Sequence, residues 1–576
     1  MYNIIGLNIN HADSAACVIK NNNLDFAIEE ERINRKKHWA GLPMESISSC
    51  LKNSNLRAED IDIVSLNTNP SSNIINKIPY FIKNYLTGNK KNEIFKRLKT
   101  KINIKNELIN KLGFRKTIKV KYIDHHLAHI ASGFYSSNFD KALGISIDGF
   151  GDFCSLVIFE LNKNNSIKFK KKIYFPHSLG VFYEAMTQLC GFKKYGEEYK
   201  FMALACMGKP IYYEKILDNV FLDKNKLKLN NEYFLHHHKN FVYNFNGIPN
   251  QNQLYSDKLL SIFGGNENFT SENITQKQLN IAASTQKVFE YFVFDLIEKN
   301  MNKKYSNNLV LSGGCALNSL ANGKIIKKFN GINLHVPFSP GDSGGAIGSA
   351  ILTNIYYNKE IPKNLVSPYL GSSYDSTYIK KTIESLNLDK NIEIIYFNDF
   401  EKILSITTEM LQLDKVGGWF QGKMEFGPRA LGNRSIIASP INPNMKKIIN
   451  KKIKKREDFR PFAPSIMIDK KKEWFETSKL NLYMSAVEFI IKDKRQYVPA
   501  ITHFDGTGRV QDVDQLLNTK FYNLINSFYK KTGIPILLNT SFNENEPIVN
   551  KPEEAISCFL RTDMDFLVLE NFILKK

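Results

Sequence analysis

Paired cysteines are missing from this chain. Its seven cysteines, Cys17, Cys50, Cys154, Cys190, Cys206, Cys315 and Cys558, form no Cys-x-x-Cys pair. That excludes a zinc ribbon and the disulfide framework of a small secreted domain, and it fits a reducing cytoplasm. No apolar run approaches the eighteen residues of a transmembrane helix, so no membrane partner is expected. The N-terminus, Met1-Tyr2-Asn3-Ile4-Ile5-Gly6, has no basic region ahead of its apolar residues, which argues against a secretory signal. Acidic residues are also scarce: 57 against 78 basic ones, a net charge of +21.

Much of that excess is local. From Lys83 to Lys121 there are thirteen Lys or Arg and two acids, a net +11. Such a block is either a solvated lysine-rich lobe or a surface for a polyanion such as nucleic acid. The rest of the composition, 43% hydrophobic over 576 residues, is that of a globular protein with several cores.

Two segments read as copies of one unit. Ile4 to Ile19 and Ala142 to Leu161 each run apolar strand, tight polar turn, apolar strand, with Gly6 matching Gly144 and Asn10 matching Asp148. The duplication predicts an α/β fold of the actin and sugar-kinase type, with two turns facing a phosphate-binding cleft. Glycine turns at Ser312-Gly313-Gly314-Cys315 and Pro340-Gly341-Asp342-Ser343-Gly344-Gly345 suit a nucleotide, because they present backbone N–H groups at a helix start.

Between the copies lies Asp124-His125-His126-Leu127-Ala128-His129. Histidines four apart share a helical face and can grip one cation, with Asp148 supplying a hard oxygen ligand. Imidazole and carboxylate together suit a catalytic divalent metal. His126 points off that face. His236-His237-His238 lies in an asparagine-rich stretch and reads as a solvated loop.

Pro362 and Pro368-Tyr369-Leu370-Gly371 mark a boundary, giving domains 1–360 and 372–576. The second is another α/β unit, with arginines set among glycine and proline: Gly427-Pro428-Arg429-Ala430-Leu431-Gly432-Asn433-Arg434-Ser435, Arg460-Pro461-Phe462-Ala463-Pro464, Gly508-Arg509, and nearby Leu538-Asn539-Thr540-Ser541. Rigid turns that hold planar guanidinium forks predict an anion site.

Together with His11-Ala12-Asp13-Ser14-Ala15-Ala16 and Tyr199-Lys200-Phe201-Met202-Ala203-Leu204-Ala205, these motifs resemble the O-carbamoyltransferases, in the same order from the N-terminus to Asn543. That family includes enzymes acting on nodulation factors, aminoglycosides, ansamycins and cephalosporins. The resemblance implies an N-terminal domain similar to the metal-dependent transferase of tRNA threonylcarbamoyladenosine synthesis, and a C-terminal domain similar to the enzyme that forms carbamoyl-adenylate there. It implies that carbamoyl phosphate and ATP, with magnesium, give carbamoyl-adenylate. The carbamoyl group would then pass to an acceptor hydroxyl with the help of a divalent metal, iron foremost.

Carried over by motif, His125, His129, Asp148 and Asp342 would hold the metal and His11 would take the acceptor's proton. Arg429, Arg434, Lys454, Arg460, Arg509, Asn539 and Ser541 would hold carbamoyl phosphate and ATP. Lys200, Gly313, Gly314 and Asn318 would hold the adenylate in the transfer domain. The family usually reads Met-Gly-Leu-Ala-Pro-Tyr-Gly where this chain has Met202-Ala203-Leu204-Ala205-Cys206-Met207-Gly208. The acceptor is expected to be a sugar or natural product or, given the basic block, a hydroxymethylated base in DNA. The family allows a homodimer. Two other classes use the same residues differently: an actin-fold kinase or ATPase, which would form ADP where adenylate chemistry forms AMP, and a nucleic-acid-binding protein with a vestigial site.

Overall fold

The computed structural model describes residues 1–86, 103–164, 167–238, 243–244, 247–265 and 268–576. The chain is α/β throughout and divides into two compact units. One comprises Met1–Glu31 with Lys37–Val366, the other Arg32–Lys36 with Ser367–Lys576.

The first unit is built on two five-stranded sheets with one shared strand order. In the first sheet, Asn23–Glu29 pairs Ala15–Lys20, which pairs Ile4–Asn8, followed by Ile63–Leu66 and Lys119–Tyr122. In the second, Lys168–Tyr174, Cys154–Asn162, Lys141–Gly151, Asn308–Ser312 and Asn333–His335 repeat that order. Each opens as an antiparallel meander and continues with parallel strands, for instance Ile4–Asn8 alongside Ile63–Leu66. The duplication inferred from two short segments therefore extends over both halves. Ile4–Asn8 is buried at every position, which explains its unbroken apolar run where a one-sided strand would alternate.

The two glycines matched in the sequence occupy equivalent places under a helix. A side chain at Gly6 would lie 2.3 Å from the Ala346 carbonyl oxygen of helix Asp342–Asn358, and one at Gly144 would meet Ile130 of helix His125–Ser136 at 2.9 Å. The closing helix of each half packs on the opening strand of the other half's sheet and against its counterpart. This interchange brings their N-terminal turns together.

The second unit is built on an eight-stranded sheet, in the order Glu393–Tyr396, Phe572–Lys575, Phe566–Leu569, Gly417–Phe420, Arg434–Ala438, Ile536–Ser541, Ala463–Met467 and Gln511–Val513, with a separate antiparallel pair, Val487–Phe489 and Thr507–Arg509. Its core gathers Trp419, Phe420, Phe521, Phe528 and Phe559 from the sheet and its covering helices. Arg32–Lys36 belongs here as well. Arg32, 4% exposed, donates to the Gly427 carbonyl at 2.9 Å, and Arg35 donates to the carbonyls of Ile548 (2.7 Å) and Pro547 (2.5 Å). A boundary drawn along the chain does not reveal this segment's attachment. Part of the basic block, residues 87–102, lies outside the described residues.

Candidate metal centre and anion site

The Asp124 side chain accepts from the Leu127 N–H at 3.2 Å and so starts helix His125–Ser136 at His125, a cap typically worth about 1 kcal/mol. His125 and His129 then lie one turn apart on the same face. Asp148 arrives at the end of strand Lys141–Gly151, its Oδ1 accepting from the Gly149 N–H at 2.7 Å while Oδ2 faces the imidazoles. Asp342 opens the facing helix.

The four ligand atoms lie close to one another. His125 Nε2 is 3.0 Å from His129 Nε2, 3.3 Å from Asp148 Oδ2 and 3.5 Å from Asp342 Oδ1. His129 Nε2 is 3.0 Å from Asp148 Oδ2 and 3.4 Å from Asp342 Oδ1. Ligands placed about 2.0–2.2 Å from one divalent ion are separated by about 3.0–3.5 Å, so the residues present fit such an ion. Both histidines are buried with their Nδ1 atoms unpartnered among the described residues, so packing orients the rings. Burial alone would raise Asp148, but hydrogen bonds to the two imidazoles hold it well below the usual carboxylate range. Burial works against charge on His129, yet bonds to Asp148 and Asp342 push it up to about 9. Asp342 is raised by burial and by the Asp148 charge. The pocket thus favours positive charge at its centre. The His11 ring lies 4.8 Å from the His125 ring.

Two supports were missed in the sequence. Asp152, 9% exposed, accepts from the His125 N–H (3.0 Å), the Thr68 hydroxyl (2.8 Å) and the Asn69 N–H (2.8 Å), tying the metal helix to the hairpin. Its signal is weak: one Gly-Asp pair at a hairpin turn. Gly151 lies directly under His125, where a Cβ would fall 1.9 Å from the ring. Gly151→Ala is expected to displace His125 and lower bound metal by about 10- to 100-fold in affinity, while the far-ultraviolet circular dichroism stays native. Metal titration of the folded variant checks this, and an unchanged affinity would exclude it.

His126 is separate from the cluster, as expected. It bonds Ser146 Oγ (2.8 Å) and the Cys154 carbonyl (3.0 Å), and burial lowers it to about 3. His236 corrects the solvated-loop reading. It is 8% exposed, bonds the Pro176 carbonyl at 2.8 Å and stacks on Phe150, because the segment folds back over an aromatic cluster.

The glycine turn faces Asp148. Gly313 has φ 82°, and a Cβ there would meet the Ile147 carbonyl at 2.2 Å; one on Gly314 would lie 3.1 Å from Asp148 Oδ1. Asn318 caps helix Ser319–Lys328, and its amide pairs reciprocally with Gln286 at 2.9 and 3.0 Å. Lys200 bonds Glu197 at 2.9 Å.

Near His11, the His38 ring meets Asp13 at 2.9 Å. Burial opposes its charge, but the Asp13 carboxylate prevails and raises it to about 9 from 6.5. A raised histidine stabilises the fold fully below its unfolded value, and that contribution is lost as pH climbs through the folded value. His38→Gln is therefore expected to flatten the fall in thermal stability between pH 6.5 and 9. Melting curves across that window check it, and parallel wild-type and variant profiles would count against the pair.

In the second unit, the Arg429, Arg456 and Arg460 charges bear on Arg509. Burial, then these like charges, hold Arg509 well below the ordinary guanidinium value, and its Nε has no partner among the described residues. Arg456, absent from the sequence-based set, bonds Asn450 Oδ1 at 2.7 Å and lies over Phe462. Glu425, 3% exposed, accepts from the N–H groups of Leu431 (2.7 Å), Asn433 (2.8 Å) and Arg434 (3.2 Å), so it shapes the loop that carries Arg429.

Other expected ligands are committed inward. Arg434, fully buried, donates to the carbonyls of Gln421, Gly422, Asn433 and Ser372 and stacks 3.5 Å over Phe420. Lys454 donates to the carbonyls of Ser541 (2.5 Å) and Asn543 (2.7 Å) and to Asn543 Oδ1 (2.7 Å). The Asn539 amide donates to Ser465 Oγ at 3.0 Å and Gln511 Oε1 at 3.1 Å.

Comparison with known proteins matches residues 3–351 to a family model described as carbamoyltransferase N-terminus, and residues 408–576 to one described as carbamoyltransferase C-terminus. The chain is 34% identical to the uncharacterized protein sll1178 of Synechocystis, covering 100% of this chain and 97% of that one. It is 31% identical to the nodulation protein NolNO of Sinorhizobium fredii, covering 98% and 79%. Among solved structures, HypF of T. kodakarensis aligns at 17% identity with a TM-score of 0.31, covering 62% of this chain and 48% of that one.

Proposed function

This chain belongs to the carbamoyltransferase family, and from that premise we propose that it is an ATP-dependent O-carbamoyltransferase working in two steps. In the first, residues 372–576 bind carbamoyl phosphate and ATP; water cleaves carbamoyl phosphate to carbamate and phosphate, and the carbamate oxygen attacks the α-phosphorus of ATP, giving carbamoyl-adenylate as the bond to pyrophosphate breaks. In the second, residues 1–360 transfer the carbamoyl group to an acceptor hydroxyl, releasing AMP. The observation that carries this reading is the four-ligand cluster with His11 beside it.

Arg429, Arg456, Arg460 and Arg509 bring together cations whose repulsion an anionic ligand relieves, and their planar forks suit phosphate oxygens. Lys454 fixes the Ser541–Asn543 turn, and Arg434 anchors the end of the Gly427–Arg434 loop. In the transfer unit, His125, His129, Asp148 and Asp342 would hold a divalent metal, with iron the family's choice. Once bound, such an ion supplies Lewis acidity toward the adenylate's carbonyl or phosphate. The Gly313–Gly314 turn offers backbone N–H groups for an anionic ligand. The His11 imidazole takes the acceptor's proton as the acceptor's oxygen bonds the carbonyl carbon and the bond to AMP breaks.

The acceptor is a hydroxyl of a sugar or small natural product. Incubating the purified protein with ATP and labelled carbamoyl phosphate is expected to give carbamoyl-phosphate-dependent pyrophosphate, and AMP once an acceptor is present. ADP as the sole nucleotide product would instead mark a kinase or ATPase. Mass spectrometry of candidate acceptors, hydroxymethylated DNA included, would locate the carbamoyl addition.

A further inference from the structure

One surface of the transfer unit has no part in that chemistry. Helix Ile74–Leu86 presents Ile74, Ile75, Ile78 and Ile82 at 54, 80, 47 and 54% exposure. Spaced at i, i+1, i+4 and i+8, they fall within one helical face. Isolated exposed apolar residues are ordinary, but four isoleucines in one stripe are not.

The helix contains no acidic residue, and its neighbour is basic. Strand Lys168–Tyr174 is the edge strand of the second sheet and exposes Lys168, Phe169, Lys170 and Lys171. The two are tied at their flanks: Lys172 Nζ donates at 3.0 Å to Oδ1 of Asn73, the residue before the helix, and Tyr80 packs at 5.0 Å on Phe175, the residue after the strand. The same segment leads to the metal centre, since the Asn73 amide donates to the Asp152 carbonyl at 2.9 Å and Asp152 holds the His125 N–H.

We propose that this face docks on an anionic lipid bilayer. The isoleucines would enter the headgroup–acyl boundary while Lys168, Lys170 and Lys171 meet acidic headgroups. Charge complementarity favours that occupant over a zwitterionic surface, and the isoleucines favour it over nucleic acid, whose phosphates offer them nothing. No helix among the described residues is long and apolar enough to cross a membrane, so the association is peripheral. Docked in this way, the unit would hold its metal centre near acceptors that reside at the membrane surface. This departs from the expectation of no membrane partner.

The test is flotation of the full-length protein with phosphatidylcholine vesicles, with and without phosphatidylglycerol, at low and high salt. The wild type should float with the anionic vesicles and be released by salt. Ile75→Asp/Ile78→Asp and, separately, Lys168→Glu/Lys170→Glu/Lys171→Glu should each weaken binding by at least about tenfold, with melting temperature and pyrophosphate release unchanged. Absence of wild-type flotation, equal binding to both vesicle types, or full binding by the isoleucine variant would overturn the proposal. So would a wild-type dimer that the isoleucine variant dissociates in light scattering without any loss of vesicle binding, since the occupant would then be a second copy. A large drop in the isoleucine variant's melting temperature would also overturn it, because the face would then be covered by the chain itself.

Discussion

Asp148→Asn is expected to abolish carbamoyl transfer, by about 10³-fold or more, while carbamoyl-phosphate-dependent pyrophosphate release survives. The residue contributes on two counts. Its Oδ2 contacts both imidazoles, at 3.3 and 3.0 Å, so the amide removes the charge that draws a cation into the cluster. Its Oδ1 accepts from the Gly149 N–H and lies against Gly314, so the substitution keeps the shape of the turn and separates charge from packing. The measurement is paired: bound metal and product carbamate on one side, pyrophosphate release on the other. Equal loss of both activities would mean that the cluster supports the whole fold rather than the second step. Retained transfer would remove it from the chemistry.

What was readable in advance follows the range of the interactions. His125 and His129 share a face because a helix repeats every 3.6 residues, and Asp124 starts that helix within three residues of its own position. The strand-turn-strand copies were visible because an apolar strand buried on both sides writes itself as a continuous run. Arg434 was harder, since a Gly-rich motif carrying arginine looks the same whether the guanidinium faces a ligand or four backbone carbonyls; only the partners, 12 or 13 residues away in Gly422 and Gln421 and 62 away in Ser372, decide. Asn318 was ambiguous for the same reason, its amide being satisfied by Gln286 across 32 residues. The attachment of Arg32–Lys36 to residues 427 and 547–548 rests on backbone carbonyls, which leave no trace in side-chain identity. Asp152 differs again, as a turn aspartate whose three donors come from two distant segments.

Arg509→Leu should make the ligand-free protein more stable and nearly inactive at once. Burial and three neighbouring arginines oppose the Arg509 charge, and its Nε has no partner among the described residues to offset that cost. Removing the charge should relieve about 1 kcal/mol of repulsion, which for a unit of this size raises the melting temperature by about 2–4 °C. A phosphate-bearing ligand reverses the sign, because wild-type Arg509 then gains charge-assisted hydrogen bonds worth about 1.5–3 kcal/mol each. The wild type should therefore melt higher with carbamoyl phosphate and the variant should not. The KM for carbamoyl phosphate should rise by about 10²-fold, or pyrophosphate release should vanish. Arg509→Lys sharpens the test: it keeps the charge and loses the fork, so it should remain destabilised without ligand and recover only part of the affinity. A structural arginine would behave in the opposite way, with Arg509→Leu lowering the melting temperature and leaving KM untouched. Such repulsion persists in a fold only where function requires the charge, and this is the reason to place the anion at Arg509 rather than at the satisfied Arg434.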